Sequence, residues 1–427
     1  MQNLKNAVSN LLRSSDQIFG LNMTYLAKGG FWTTLRFFIG TLTSIATVAA
    51  YGNLLPRDVY GTYNYLLSLG AALSFLTFSG TGIAVMRSVA RGYENVVPEA
   101  LRIYLKYNLL AVATILATAI YYGYKGNLIF AFSLAMLSLA YPVSEAYHLY
   151  VQVLTGKKRF DLQTKITSIV AVISAAVTII ALLLTQNVLI LVSVYSVVSL
   201  LSNMIAYSIT AKNLDKSQPN PEQVKEMKRT SLHLTGAGII GVIASYIDRI
   251  VLFQVAGPAA LAVYSLAIAG PDRLKSLVKN WGGIALPNLA QRSLYQIHQM
   301  VYRRIGFSVF VGAILFVVYF LLAPILFKLF LPKYLDAIVY SQVQALSLIV
   351  VPVSIYIGGV FASQNMLRAF YALNIGSHIF KIILFVSFGL MWQIWGLVFA
   401  SLLFSLLNAM YGIIILEIEI RRLLKKI

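Results

Sequence analysis

Residues 232–255 read LHLTGAGIIGVIASYIDRIVLFQV, and Asp248 and Arg249 are the only charged side chains among them. A helix of that length extends about 36 Å, enough to cross the ~30 Å hydrocarbon core of a bilayer. Placing either charge at the membrane centre costs roughly 2.5–3.5 kcal/mol. Neighbours i and i+1 on a helix point ~100° apart, so the two charges do not face each other. Each needs water or a partner from another helix. The stretch therefore predicts a spanning helix that borders a polar cavity.

The rest of the chain agrees. Its 427 residues are 59% hydrophobic and 11% charged, with a mean hydropathy of +0.78. Soluble chains carry about 25% charged residues, so this composition predicts an all-α polytopic membrane protein. Spans are expected near 29–52, 63–84, 106–124, 127–150, 164–185, 187–211, 231–255, 259–281, 304–330, 335–358, 374–394 and 396–418. The net charge of +20 does not point to nucleic acid, because the basic residues sit in short clusters between spans. Arg87, Arg91, Lys157, Lys158, Arg159, Lys225, Lys228, Arg229, Arg292, Arg303, Arg304, Arg368, Arg421, Arg422, Lys425 and Lys426 fall on one side of the twelve spans. The other side holds only Arg57, Lys125, Lys328 and Lys333. By the positive-inside rule both termini are expected in the cytoplasm.

The chain is expected to divide into a cytoplasmic N-terminal segment (1–28), a six-helix lobe (29–211), a polar linker (212–230), a second six-helix lobe (231–419) and a basic tail (420–427). The first segment shows no secretory h-region; its apolar residues fit a surface-lying amphipathic helix or a frayed tail. Pro219 and Pro221 mark the linker as a flexible connector. A weak repeat supports the two halves. Tyr63 and Tyr264, Gly82-Ile83-Ala84 and Gly283-Ile284-Ala285, and Arg91 and Arg292 are each 201 residues apart. Six spans per half give both copies the same orientation, hence a parallel pseudo-two-fold repeat with a site where the lobes meet.

Among the charges inside the spans, Arg36, Glu145, Asp248, Arg249, Asp272, Arg273 and Lys381 stand out. Asp248 is expected roughly 12 Å below the outer end of its span and Asp272 roughly 18 Å below its own, so Arg249 and Asp272 could pair. Arg36 and Lys381 are expected nearer the inner surface, too far to reach Asp248. Glu145 reads as a packing or snorkelling residue. Arg36, Arg249 and Arg273, with Lys381, are the candidate substrate-binding cations, because guanidinium groups suit phosphate or diphosphate. Asp248 and Asp272 could position those arginines, or could titrate or bind a cation. Pro271, in an "AGPDR" stretch expected to interrupt the eighth span, is the candidate hinge. The absence of cysteine excludes thiol chemistry, and the four histidines lack metal-ligand spacing, so no metal site is expected.

"YLAKGGFWTTLRFF", "LPRDVYGTYNYLLSL", "FSGTGIAVMRSVARGYE" and "SYIDRIVLFQVAGPAALAVYSLA" together resemble the polysaccharide-exporter (Wzx-type) lipid-linked oligosaccharide flippases. These belong to the multidrug/oligosaccharidyl-lipid/polysaccharide exporter superfamily. The resemblance implies two six-helix lobes forming a V around a central cationic cavity. It implies flipping of a polyprenyl-diphosphate-linked glycan, such as an O-antigen or exopolysaccharide repeat unit, across the inner membrane by alternating access. Other polysaccharide-assembly membrane proteins would be partners. Arg36, Asp248, Arg249 and Arg273 match helices where relatives place cavity charges. Helix two carries no arginine before Arg87, which separates the chain from the related lipid II flippases.

Two rivals follow from the same residues. An ion-coupled drug or cation exporter of that superfamily would favour acidic cavity residues. A membrane glycosyltransferase would need catalytic carboxylates on an outer loop, where only Asp58 and Asp336 stand, singly. No GxxxxGK[ST] motif is present, so no nucleotide cofactor is expected and coupling would run through a sodium or proton gradient.

Overall fold

The computed structural model describes residues 23–215, 217–290, 294–364 and 366–424, and every regular element among them is a helix. In the first half, α1 spans Met23–Leu54, α2 Arg57–Leu73, α3 Thr81–Ala90, α4 Val97–Tyr124, α5 Leu128–Tyr147, α6 Leu149–Gly156, α7 Phe160–Leu184 and α8 Val188–Ala211. In the second, α9 spans Pro221–Ala290, α10 Leu294–Phe330, α11 Ala337–Ala345, α12 Val351–Ser363 and α13 Leu367–Leu424. Residues 1–22 of the expected N-terminal segment, Arg292, Lys425 and Lys426 lie outside the described residues.

Nine helices among the described residues are long and apolar enough to cross a membrane. Two of them cross twice. Helix α9 turns back at Gly257, where φ is 80° and ψ −179°, a conformation open to glycine. The proof of the turn is a hydrogen bond: Tyr264 donates to Asp248, 16 residues earlier, at 2.9 Å. A straight helix would hold them about 24 Å apart. Helix α13 turns back at Trp392–Gln393, and a Cβ on Gly396 would overlap the Phe388 carbonyl. Helices α2 and α3 make one further crossing, bent by 65°. All twelve expected crossings are thereby present.

Two local expectations change. The eighth crossing is not interrupted at "AGPDR": the second arm of α9 runs on through Pro271 to Ala290, and the only non-helical residue is Gly257. Pro271 removes one backbone hydrogen bond without breaking the helix. Within the expected linker, helix already begins at Pro221, where a proline's missing N–H costs nothing.

The packing of the two halves corresponds. Helix α4 lies on α5, α5 on α8 and α1 on α7; in the second half α10 lies on α12, α12 on α13 and α9 on α13. The breaks correspond too. His148 separates α5 from α6, and adding the 201-residue offset lands in the 3-10 turn Leu346–Ile349 that precedes α12.

Burial shows how the lobes meet. One large core joins Tyr63, Tyr65 and Leu66 of α2 to Leu261, Tyr264 and Leu266 of α9 and Leu397 of α13. Tyr65 stacks on Phe253 across the lobes, with centroids 3.8 Å apart. Toward the opposite end the core splits, into one around Val85, Val153 and Leu154 and another around Val301, Val360 and Phe361. The lobes therefore share one core at one end and have separate cores at the other, where α9 still reaches the first lobe: the Gly80 N–H donates to Thr235 at 3.0 Å and Met227 joins the core around Val85. The end with the shared core carries the short loops, where Arg57 pairs with Asp336 at 2.7 Å and Lys333 donates to the Asn53 carbonyl at 2.6 Å. The other end carries the basic loops, tied within the first half by Lys157–Glu94 at 2.6 Å and to α9 by Arg91–Glu226 at 2.8 Å. We refer to these as the short-loop end and the basic end.

Candidate functional site

A cavity of about 240 Å³ lies within the second lobe, walled by both arms of α9, by α11 and α12 and by α13. Asp248, Arg249, Asp272, Lys275 and Lys381 line it, with Tyr264, Gln344, Ser401 and Ser405. The two hairpins explain how residues so far apart in sequence arrive together. Asp248 precedes the Gly257 turn by about 14 Å of helix, and Lys381 precedes the Trp392 turn by about 16 Å. Both turns lie at the short-loop end, so the two side chains share one depth near mid-membrane. The expectation that Lys381 lies too far inward to meet Asp248 was wrong because α13 starts at Leu367, which lengthens that crossing toward the basic end.

Asp248 is buried, and its Oδ2 accepts a hydrogen bond from Tyr264 at 2.9 Å. Its Oδ1 is buried without a donor. Arg249 has a buried, unpartnered Nε, and its guanidinium stands 5.9 Å from the Tyr246 ring centroid. The expected Arg249–Asp272 pair does not form. Asp272 instead accepts from Lys275 at 3.1 Å, one turn along its own helix. Asp248 and Asp272 act on Arg249 only at longer range. Lys275 is a residue the sequence reading missed, although an acid and a base at i and i+3 on a helix were a visible signal. Lys381 stands 5.1 Å over the Phe385 ring.

The remaining candidates are elsewhere. Arg273 donates to Ser44 of α1, a polar contact between α1 and α9 across the lobes. Beyond it α1 turns to its own lobe: the Trp32 carbonyl accepts from Thr164 at 2.9 Å. Arg36 lies in the first lobe near Tyr150 and His148, outside the charged cavity. Pro271, buried and helical, sits just before Asp272. Thus the structure gathers Asp248, Arg249, Asp272 and Lys381, keeps Arg273 beside them at the lobe interface, and leaves Arg36 apart. Three basic and two acidic side chains face one small space. An unpaired guanidinium and an ammonium at one depth can bind the oxygens of a phosphate-type anion.

The two-lobe helical fold is that of the MATE transporters. An inward-facing multidrug resistance MATE family transporter of the MOP superfamily matches with a TM-score of 0.64 at 16% identity, over 92% of this chain and 99% of that one. An outward-facing multidrug resistance MATE family transporter matches at 0.58 and 15%, over 94% and 96%. A MOP superfamily transporter from Pyrococcus furiosus, described by a reversed polarity of its binding pocket, matches at 0.57 and 14%, over 92% and 96%. A search of curated proteins gives no match. The family model described as "Polysaccharide biosynthesis protein" matches residues 26–269, more than half of the sequence. The chain belongs to that polysaccharide biosynthesis protein family. Family and fold together indicate a multi-pass membrane transporter.

Proposed function

We propose that this protein flips a polyprenyl-diphosphate-linked oligosaccharide from the cytoplasmic to the outer leaflet, its head group held by Arg249 and Lys381. The observation that carries this reading is Arg249, whose Nε is buried and unpartnered and whose guanidinium pairs with no carboxylate among the described residues. An ion that had only to hold helices together would be paired where it stands. Taking the basic end as cytoplasmic, the end where the lobes keep separate cores faces the leaflet in which the glycan lipid is assembled, and the shared core at the short-loop end seals the other side. Arg273 and Arg36 then flank the route between the lobes. The polyprenyl tail need not leave the lipid, and a potential negative inside favours outward movement of an anionic head group.

The unpartnered Oδ1 of Asp248 supports a secondary role in coupling, taking up a proton or sodium ion once Arg249 engages the diphosphate. It equally favours the rival reading, an ion-coupled cation exporter of the same fold. The two separate in one experiment: flipping of a fluorescent polyprenyl-diphosphate oligosaccharide in proteoliposomes by wild type, Arg249→Ala and Lys381→Ala, each checked for folding. Loss of a charge-assisted contact worth about 1.5–3 kcal/mol predicts at least a ~10-fold fall in transport. Variants as active as wild type would make the two cations structural. A wild type that moves no lipid under imposed sodium or proton gradients, but exports an organic cation, would establish the rival.

A further inference from the structure

A second space adjoins the charged cavity, with Phe404 as the shared wall. Phe404, on the second arm of α13, lines the cavity and also lines a recess of about 400 Å³ between the two arms of that helix. Gly376 and Phe380 of the first arm, and Leu407, Tyr411 and Ile414 of the second, form most of its wall. From Phe404 to Ile414 is about 15 Å of helix, half of a ~30 Å hydrocarbon core, running from the level of Lys381 toward the basic end. A volume of this size falls in the ~300–1,000 Å³ range of ligand pockets.

The junction of the two spaces is graded in polarity. Ser401 and Ser405 line the cavity, and Asn408 lines the recess with its Oδ1 buried and unpartnered. Positions i, i+4 and i+7 share one helix face, so a polar stripe passes from the charges into the head of an otherwise apolar groove. Annular lipid packed on a helix surface gives no reason for an amide there.

The first lobe supplies an internal control. Helices α7 and α8 hold the equivalent place in the repeat, and they enclose an apolar recess of about 300 Å³ along Ile169, Ile173, Leu201 and Ile205. Through Val170 and Val198 it adjoins a small pocket whose polar residues, among them Ser174, Ser199 and Asn203, are uncharged. The groove is thus a product of the fold, whereas a groove ending at fixed charges occurs in the second lobe.

We propose that the recess between the arms of α13 binds the head-proximal part of the substrate's polyprenyl chain while the diphosphate occupies the charged cavity. This rests on the function proposed above. An amphiphile with an anionic head and one hydrocarbon chain fills both spaces at once; a water-soluble anion fills one and leaves the other empty.

The test is binding to the full chain in nanodiscs, using undecaprenyl diphosphate and inorganic diphosphate as probes. Wild type should bind the lipid at least ~10-fold more tightly than the inorganic ion. Ser377→Phe, which fills the recess, should remove that advantage and leave inorganic diphosphate binding unchanged; Ser202→Phe, which fills the first-lobe recess, should change neither. A photo-crosslinking residue at position 411 should capture the lipid and one at position 201 should not, a readout independent of whether Ser377→Phe folds. Equal binding of the two probes by wild type, displacement of the lipid by phosphatidylglycerol at equal concentration, or capture at 201 as strong as at 411 would overturn the groove and leave the cavity reading standing. If wild type binds neither diphosphate, both readings fall.

Discussion

Asp248 accepts one hydrogen bond, from Tyr264, and its other oxygen is buried without a donor. Removing Tyr264's hydroxyl leaves the carboxylate with neither, at a cost of about 1–3 kcal/mol. Tyr264→Phe should therefore lower the thermal midpoint in detergent, and adding Asp248→Asn should restore part of the loss, because the neutral amide needs less from its surroundings. A double-mutant cycle with additive effects would show that the two residues are not coupled. Gln393 offers a change of opposite sign. Its φ of 50° and ψ of −123° place a residue with a Cβ where glycine is favoured. Gln393→Gly should stabilise the protein by about 1 kcal/mol in thermal unfolding, and Gln393→Ala should not, since alanine keeps the Cβ.

At the scale of elements, the crossing made by α2 and α3 lies along α9 from end to end through two glycines. A Cβ on Gly61 would overlap the Pro258 carbonyl, and one on Gly80 would overlap the Ser231 carbonyl. Neither clash involves a flexible side chain, so backbones must separate, typically at 1–3 kcal/mol. Gly61→Ala should loosen the short-loop end, and Gly80→Ala should break the close contact of α3 with α9 at the basic end while leaving the Arg57–Asp336 contact in place. The chain contains no cysteine, so pairs of introduced cysteines can carry spin labels without background. Distances across each end should lengthen in one variant and not in the other; identical distance distributions would show that the two glycines do not set the lobe contacts separately.

At the scale of the whole molecule, a small set of polar contacts caps the shared core at the short-loop end. Arg57 contacts both carboxylate oxygens of Asp336, donates to the Lys333 carbonyl at 2.6 Å and lies 4.8 Å over the Tyr334 ring. Arg57 and Asp336 are 41% and 47% exposed, and such pairs are worth about 0–1 kcal/mol. A latch this weak can open and close within a transport cycle. Asp336→Asn should raise labelling of a Ser245→Cys cavity probe by a membrane-impermeant thiol reagent added from the short-loop side. High salt should do the same to the Ser245→Cys protein alone, since exposed pairs are screened. Unchanged labelling in both cases would place the seal in the shared apolar core around Tyr65 and Phe253 instead.

Hydropathy and charge by themselves determined that this is a twelve-crossing helical membrane protein in two corresponding halves, because the cost of placing charge or unbonded backbone in lipid acts on each segment separately. The same local energetics made Asp248 and Arg249 stand out and required each to find its environment off its own helix. Which environment was not decided locally. Lys381 meets Asp248 because two hairpins turn at one end; Arg36 does not join them because α1 packs on α7; and Asp272 takes Lys275 as its partner because that side chain is one turn away while Arg249 is on the opposite arm. The charged cavity, its apolar extension past Phe404 and the closed short-loop end all depend on which helices become neighbours. That choice is made by side-chain packing between segments hundreds of residues apart, and only the tertiary structure displays it.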